Sequence, residues 1–323
     1  MTDSTQDDLR DDSLFNVAFY NVENLFDIHN DKLTHDDDFL PTSDKKWTAK
    51  RYKNKLRKLG FAISNIGKIE NDRHPVLIGL AEVENAIVLD DLLSSKHLED
   101  LNYDFIHYDS DDERGIDVAL LYDTTSFKPS HSEVFSIKLF KDDGAIDYTR
   151  DILLVSGDFE GDNIHVIVNH WSSRREGQKE SEHKRITASK KVSEIITNLK
   201  TQEEDAKIII MGDFNDDPSS PSIQRLMASH DLFNPMETLL SYNRGTTRRH
   251  FHWNLFDQIL FTTNFFEHEK RSLKFMSANI FDDDFLKLFN GKYKGTPFRT
   301  FVGKKYKGGY SDHFPVYVTL KKI

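Results

Sequence analysis

The 323-residue chain contains no cysteine, which excludes disulfides, thiolate metal sites and cysteine nucleophiles. It also lacks any apolar run approaching the roughly 20 residues needed to cross a bilayer. Its opening, "MTDSTQDDLRDDS", has neither the basic start nor the apolar segment of a secretory signal. The cytoplasm is therefore the expected location, with export the alternative if a signal has been trimmed. Residues 1–12 read as a flexible acidic leader. Positive charge is in short supply: 43 Lys and Arg against 54 Asp and Glu leave a net charge of −11. The whole molecule is thus not a general polyanion binder, and nucleic acid or phospholipid would have to be met by a local basic patch or by metal ions. No Pro-, Ser- or Gly-rich linker divides the chain, so residues 13–323 are expected to form one domain. A chain of that size buries a substantial core.

What is present is a succession of short apolar runs bounded by turn residues. They are "LFNVAFYN" (14–21), "HPVLIGLAEV" (74–83), "YDFIHY" (103–108), "IDVALLY" (116–122), "SEVFSIKLF" (132–140) and "DILLVSGDF" (151–159). The series continues with "NIHVIVNHW" (163–171), "AKIIIMGDF" (206–214), "LFDQILFT" (255–262), "SLKFMSAN" (272–279) and "HFPVYVTL" (313–320). Their length and their Val, Ile and Phe content predict strands, some buried on one face and some on both. Helical spacing predicts helices over 48–69 and 181–201, the latter keeping Ile186, Val192, Ile195, Ile196 and Leu199 on one side. Shorter helices are expected at 85–95 and 218–230. Strands interspersed with helices favour layered sheets with helices outside.

Polar residues recur at the ends of the strands. "AFYNVENLF" releases Asn21, Glu23 and Asn24, "LAEVEN" places Glu82 after an apolar run, and "RGIDVALLY" begins with Arg114 and Asp117. "VNHWSSRR" delivers His170, Arg174 and Arg175, "GDFND" delivers Asp213 and Asn215, "DQIL" starts at Asp257, and "SDHFPV" offers Asp312 and His313. Taken singly, each is an ordinary turn former, packed histidine or solvated charge. Taken together they suit one chemistry. Carboxylates such as Glu82 and Asp312 are the ligands Mg²⁺ or Mn²⁺ prefer. Histidines move protons near neutral pH, and an Asp on an imidazole fixes its tautomer. Amides hold phosphoryl oxygens without adding negative charge, and phosphate-ester hydrolysis needs a cation, an oriented water and a stabilised leaving oxygen.

In their order along the chain, "YNVENLF", "LAEVEN", "RGIDVALLY", "NHWSSR", "GDFND", "DQIL" and "SDHFPV", spanning residues 20 to 316, resemble the endonuclease/exonuclease/phosphatase superfamily. The resemblance implies an α/β (α+β) four-layered sandwich, two packed, mainly antiparallel sheets flanked by helices, with the site at the sheet edges. It implies Mg²⁺, replaceable by Mn²⁺, on Glu82 with Asp312 and Asn21, and a further metal-side acid at Glu23. Asp213 is then the acid that orients or deprotonates water, and Asn215 the amide on the phosphate. His313 contacts the scissile phosphate with Asp257 behind it, and His170 is the second histidine, supported by Asp117 or its rival Glu113. Asn21, Arg114 and Arg174 are the implied phosphate contacts. The resemblance lies nearest the bacterial endonuclease-like branch, which implies a monomeric nuclease with nucleic acid as substrate and no stable protein partner. A phosphatase or phospholipase acting on inositol phosphate, nucleotide or sphingomyelin-like substrates is the alternative. Basic clusters at 50–58, 174–185, 243–253 and 304–309 are the segments that would meet nucleic acid.

Overall fold

The computed structural model describes residues 12–323 apart from 142, 250 and 268–271. The expected leader lies outside the described residues, save for its last position. Twelve strands build two six-stranded sheets. In chain order they are β1 (Leu14–Leu25), β2 (Leu77–Val83), β3 (Tyr103–His107), β4 (Asp117–Asp123), β5 (Phe127–Phe135) and β6 (Ile152–Phe159). They continue as β7 (Asp162–His170), β8 (Lys207–Asp213), β9 (Leu232–Phe233), β10 (Asp257–Thr262), β11 (Leu273–Ile280) and β12 (Val316–Lys322). The first sheet runs β11-β12-β1-β2-β4-β3 and the second β9-β10-β8-β7-β6-β5. Helices α1 (Ala49–Asn65), α2 (Lys68–Asn71), α3 (Ala86–Leu93), α4 (Glu182–Gln202) and α5 (Pro221–His230) complete the layers. The expected mixed α/β architecture of two packed, mainly antiparallel sheets with flanking helices is what the chain adopts.

Each sheet contains one parallel pair, β1 with β2 and β7 with β8, and every other pairing is antiparallel. Parallel neighbours need a long crossover. The segment carrying α1 and α2 supplies one, and α4 supplies the other. The parallel strand β8, "KIIIMGD", is buried almost throughout, as a central strand should be. Edge strand β5 is exposed along much of its length and carries Pro129 at a register break, where a missing N–H is tolerated.

Between the sheets, Phe19, Leu80, Val166, Val168, Ile209, Met211 and Ile259 belong to one fully buried apolar cluster. Burying each such side chain contributes about 1.5–3 kcal/mol. The sheets come so close at Gly79 that a Cβ there would lie 2.5 Å from Met211 Sδ and 2.9 Å from Phe19 Cδ2. On the far side of the second sheet, Ala188, Val192, Ile195 and Ile196 of α4 pack with Ile208 and Ile210 of β8.

Local departures from the sequence expectations have local causes. The helix expected over 48–69 stops at Asn65, because Gly67 takes a left-handed φ of 68° before the single turn of α2. The run 132–140 is divided between the end of β5 and a two-residue strand, Leu139–Phe140. On α4, Ile186 is only half-buried, while the neighbouring Arg185 is fully buried.

Topology dictates where the polar ends meet. Register pairs Asp213 with His170 on one side and with Asp257 on the other. Val83, one residue beyond Glu82, pairs with Asp117, and Phe19 pairs with Val316, three residues past His313. The parallel strands therefore end where their antiparallel neighbours β4, β10 and β12 begin.

Candidate active site

Backbone strain marks this edge. Glu82 (φ 66°), Glu23 (52°), Asn24 (50°) and Asn215 (50°) all sit in the left-handed region. Such positions cost of order 1–3 kcal/mol and persist where surrounding structure over-determines them. Both β1 and β2 lose register here, between Asn21 and Leu25 and between Ala81 and Val83. The bulge aims side chains that regular pleating would point elsewhere.

The two sheets are joined at the site by Asn21, whose Nδ2 donates to Asp213 Oδ2 at 3.0 Å and lies 3.5 Å from Glu82 Oε1. The other oxygen of Asp213 accepts from the Asn215 backbone N–H at 2.9 Å. Burial, against the counteracting His313 charge, leaves the Asp213 carboxyl at about 6. Glu82 accepts from the Asn24 backbone N–H at 2.9 Å and lies 3.9 Å from Arg114, which itself donates to Asn24 Oδ1 at 2.7 Å.

The two imidazoles are set to opposite charge states. His313 Nδ1 lies 2.7 Å from Asp257 Oδ2, and its Nε2 is 3.9 Å from Asp213 Oδ2. Burial opposes the imidazolium, but Asp257 and Asp213 push it up to about 10. His170 is buried without a hydrogen-bonded acid: Nε2 is 3.7 Å from Asp213 Oδ2 and 4.0 Å from Glu82 Oε1, and Nδ1 has no hydrogen-bond partner among the described residues. Burial first, then Arg150 and Arg114, hold it well below the ordinary histidine range. Titratable groups driven apart in this way are the mark of divided acid and base roles.

Further charges gather on the Asp312 side. Arg299 bridges two acids, with Nε 3.4 Å from Glu23 Oε1 and NH2 2.6 Å from Asp312 Oδ2. Glu23 also accepts from the Thr300 backbone N–H at 2.6 Å, and buried Lys55 donates to Thr300 Oγ1 at 2.7 Å. Burial and Asp312 together push Glu23 up to about 7.

Glu82, Glu23 and Asp312 offer carboxylate oxygens and Asn21 an amide oxygen, all hard donor atoms, with no sulfur among them. That donor chemistry fits a hard divalent cation. The tighter cluster of Asp213, Asp257 and His313, within 4.8 Å, is instead an acid–imidazole–acid chain, since His313 Nδ1 already bonds Asp257.

Several of the expected site residues have partners within the chain. Asp117 accepts from Ser110 Oγ at 2.5 Å and lies 3.5 Å from His107, while Glu113 pairs with Lys141, so neither acid reaches His170. Arg174 is spent on the loop after β8, donating to the Asn215 carbonyl and to Asp216, both at 2.7 Å. Asn215 directs its own amide to the Trp171 carbonyl at 3.0 Å. In compensation the structure adds Arg299, Lys55 and Arg150, none of which stands near a motif. It also turns Arg175, the next residue to Arg174, towards grooves that contain Arg114 and Arg299.

No helix among the described residues is long and apolar enough to cross a membrane. Nothing among curated proteins matches the chain. Solved structures share its fold. An endonuclease/exonuclease/phosphatase family protein from Bacteroides thetaiotaomicron aligns with TM-score 0.58 and 19% identity, over 95% of this chain and 97% of the other. The mannosyl-6-phosphatase of the same species aligns with TM-score 0.58 and 18% identity, over 95% and 99%. TDP2 of D. rerio, complexed with a single-strand DNA product, aligns with TM-score 0.57 and 16% identity, over 96% and 100%. The model of the Endonuclease/Exonuclease/phosphatase family matches residues 16–322. With that match over nearly its whole length, the chain belongs to the endonuclease/exonuclease/phosphatase family and is a phosphoester hydrolase.

Proposed function

We propose that the chain is a Mg²⁺-dependent phosphodiesterase, and specifically a nuclease that hydrolyses DNA or RNA. One observation carries the reading: Asp213 and the Asp257-backed His313 stand 3.9 Å apart where the sheets join, with Glu82 bonded to the same Asn21 side. Glu82, with Asn21 and Asp312, would hold Mg²⁺, which when bound supplies Lewis-acid neutralisation of the phosphate charge.

The chain's own residues account for the proton movements. Asp213, near 6 and held at both oxygens, orients a water and takes its proton as the oxygen attacks phosphorus in line. The bond to the leaving oxygen breaks on the opposite side. His313, kept protonated by Asp257, stabilises the developing charge and delivers a proton to an oxygen of the reacting group. Neutral His170 donates a hydrogen bond without adding charge, and Arg114 adds positive potential beside Glu82. Asn215 fixes Asp213 through its backbone N–H, and its side-chain amide stands beside that acid on the same loop.

The test is a panel of Mg²⁺-supplemented substrates: plasmid, single-stranded DNA, RNA, bis-p-nitrophenyl phosphate and p-nitrophenyl phosphate. Diesters should be cleaved in preference to the monoester, EDTA should abolish turnover, and Asp213→Ala should remove nearly all of it with the fold retained. Preference for the monoester would overturn the reading in favour of a phosphatase. Two features favour that second reading: the structural likeness to a mannosyl-6-phosphatase, and the guanidinium of Arg299 beside Asp312, which suits a dianion.

A further inference from the structure

A hairpin of Thr247–Arg249 and His252–Asn254 and the segment from Leu288 to Val302 share the walls of a 590 Å³ groove that reaches Asp312. Arg175, Arg248, Arg249 and Arg299 line it against that single acid. Asp312 is already bonded to Arg299, and Arg175, Arg248 and Arg249 have no ion-pair partner among the described residues. In a molecule with a net charge of −11 this is a local reversal of sign.

The same groove displays aromatic rings to water. Phe251 and Tyr293 are 50% and 52% exposed, and their rings stack at 5.9 Å with only 8° between planes. Lys292 Nζ lies 4.8 Å from the Phe251 ring and the Arg248 guanidinium 5.7 Å away. Phe251 also takes a φ of 68°, a conformation bulky residues rarely adopt. Two parallel, half-exposed rings bordered by arginines match a ligand that alternates flat bases with phosphates. An acidic peptide would answer the charge but not the stacked planes, and duplex bases are already stacked on one another.

We propose that this groove binds single-stranded nucleic acid, with bases stacked on Phe251 and Tyr293 and phosphates on Arg248, Arg249 and Arg175. The strand then runs past Asp312 to the centre at Asp213 and His313. The inference rests on the diesterase reading of that centre, and the experiment separates the two.

Binding of a fluorescein-labelled oligothymidylate is followed by anisotropy in EDTA, without turnover, over a range of salt. Phe251→Leu and Tyr293→Leu keep apolar bulk while removing the ring, and each should weaken binding by about tenfold. Arg248→Gln with Arg249→Gln should flatten the salt dependence by about 0.7 logarithmic units for each phosphate that is no longer neutralised. The two leucine variants should keep the parent's melting temperature and its kcat on bis-p-nitrophenyl phosphate. Equal affinity of parent and leucine variants overturns the proposal, as does parent affinity for a duplex matching that for the single strand. If the parent fails on bis-p-nitrophenyl phosphate, the diesterase reading falls, while the anisotropy series still decides the groove.

Discussion

Asp216 is the acid on which the loop beyond β8 depends. Its Oδ1 accepts from Arg174 at 2.7 Å and lies 2.8 Å from Arg185 Nε, and its Oδ2 accepts from Ser222 Oγ at 2.6 Å. Arg185 is fully buried, so Asp216→Ala leaves a guanidinium in the interior without its carboxylate. Breaking a buried pair from one side costs about 3–5 kcal/mol. Arg185 keeps hydrogen bonds to Ser181 Oγ and the Gln178 carbonyl, both at 2.7 Å, which places the expected loss at the lower end, about 3 kcal/mol. At about 2–4 °C per kcal/mol for a domain of this class, the melting temperature should fall by roughly 10 °C. Arg185→Met removes the stranded charge, so the double variant should be less destabilised than the sum of the two singles by at least about 2 kcal/mol. Urea unfolding of the four proteins in the cycle measures this directly. A loss below about 1 kcal/mol for Asp216→Ala, or additivity within about 0.5 kcal/mol, would refute the reasoning.

His313 should keep its proton far above the usual histidine range, because Asp257 and Asp213 overcome the cost of burial and raise it to about 10. A raised folded value stabilises fully below the unfolded value, about 6.5, and that contribution is lost as pH rises through 10. In EDTA, the histidine ring resonance missing from a His313→Asn spectrum should titrate near 10, and Asp257→Asn should move it down; an ordinary titration in the parent would contradict the geometry. Gly79→Ala forces Met211 and Phe19 aside, so it should cost about 1–3 kcal/mol by urea unfolding, and a change within about 0.5 kcal/mol would show the sheets can part without strain. Arg174→Gln should reduce stability and kcat while leaving KM for diesters nearly unchanged, since its hydrogen bonds go to the loop. A large rise in KM alone would restore it to the phosphate.

Much of the site was legible because a strand ending in a polar residue is a local pattern. Glu82, His170 and Asp213 each follow an apolar run, and sheet register then makes His170, Asp213 and Asp257 neighbours. The motif order paired His313 with Asp257, and the fold holds the two at 2.7 Å. What could not be read was long-range. Glu23 and Arg299 meet across 276 positions, and Lys55 reaches Thr300 from a helix in the crossover. Asp117 lies beside an apolar run like the other acids, yet Ser110 and His107 compete for it. Arg174 and Arg175 follow the same motif, and only the 3-10 turn Arg174–Glu176 decides which faces the loop and which the groove. Periodicity reports which face is buried; it does not report the partner of a charged side chain.

The insertion of β12 between β1 and β11 has a consequence for how the molecule comes into being. Leu14 is paired with Lys321, so β1 finds its antiparallel sheet partner only once β12 is in place. Until Val316–Lys322 emerges, β1 presents an open hydrogen-bonding edge and His313 has no sheet to position it. A nascent chain or one cut short before this strand would carry Glu82 and Asp213 but lack the finished pocket.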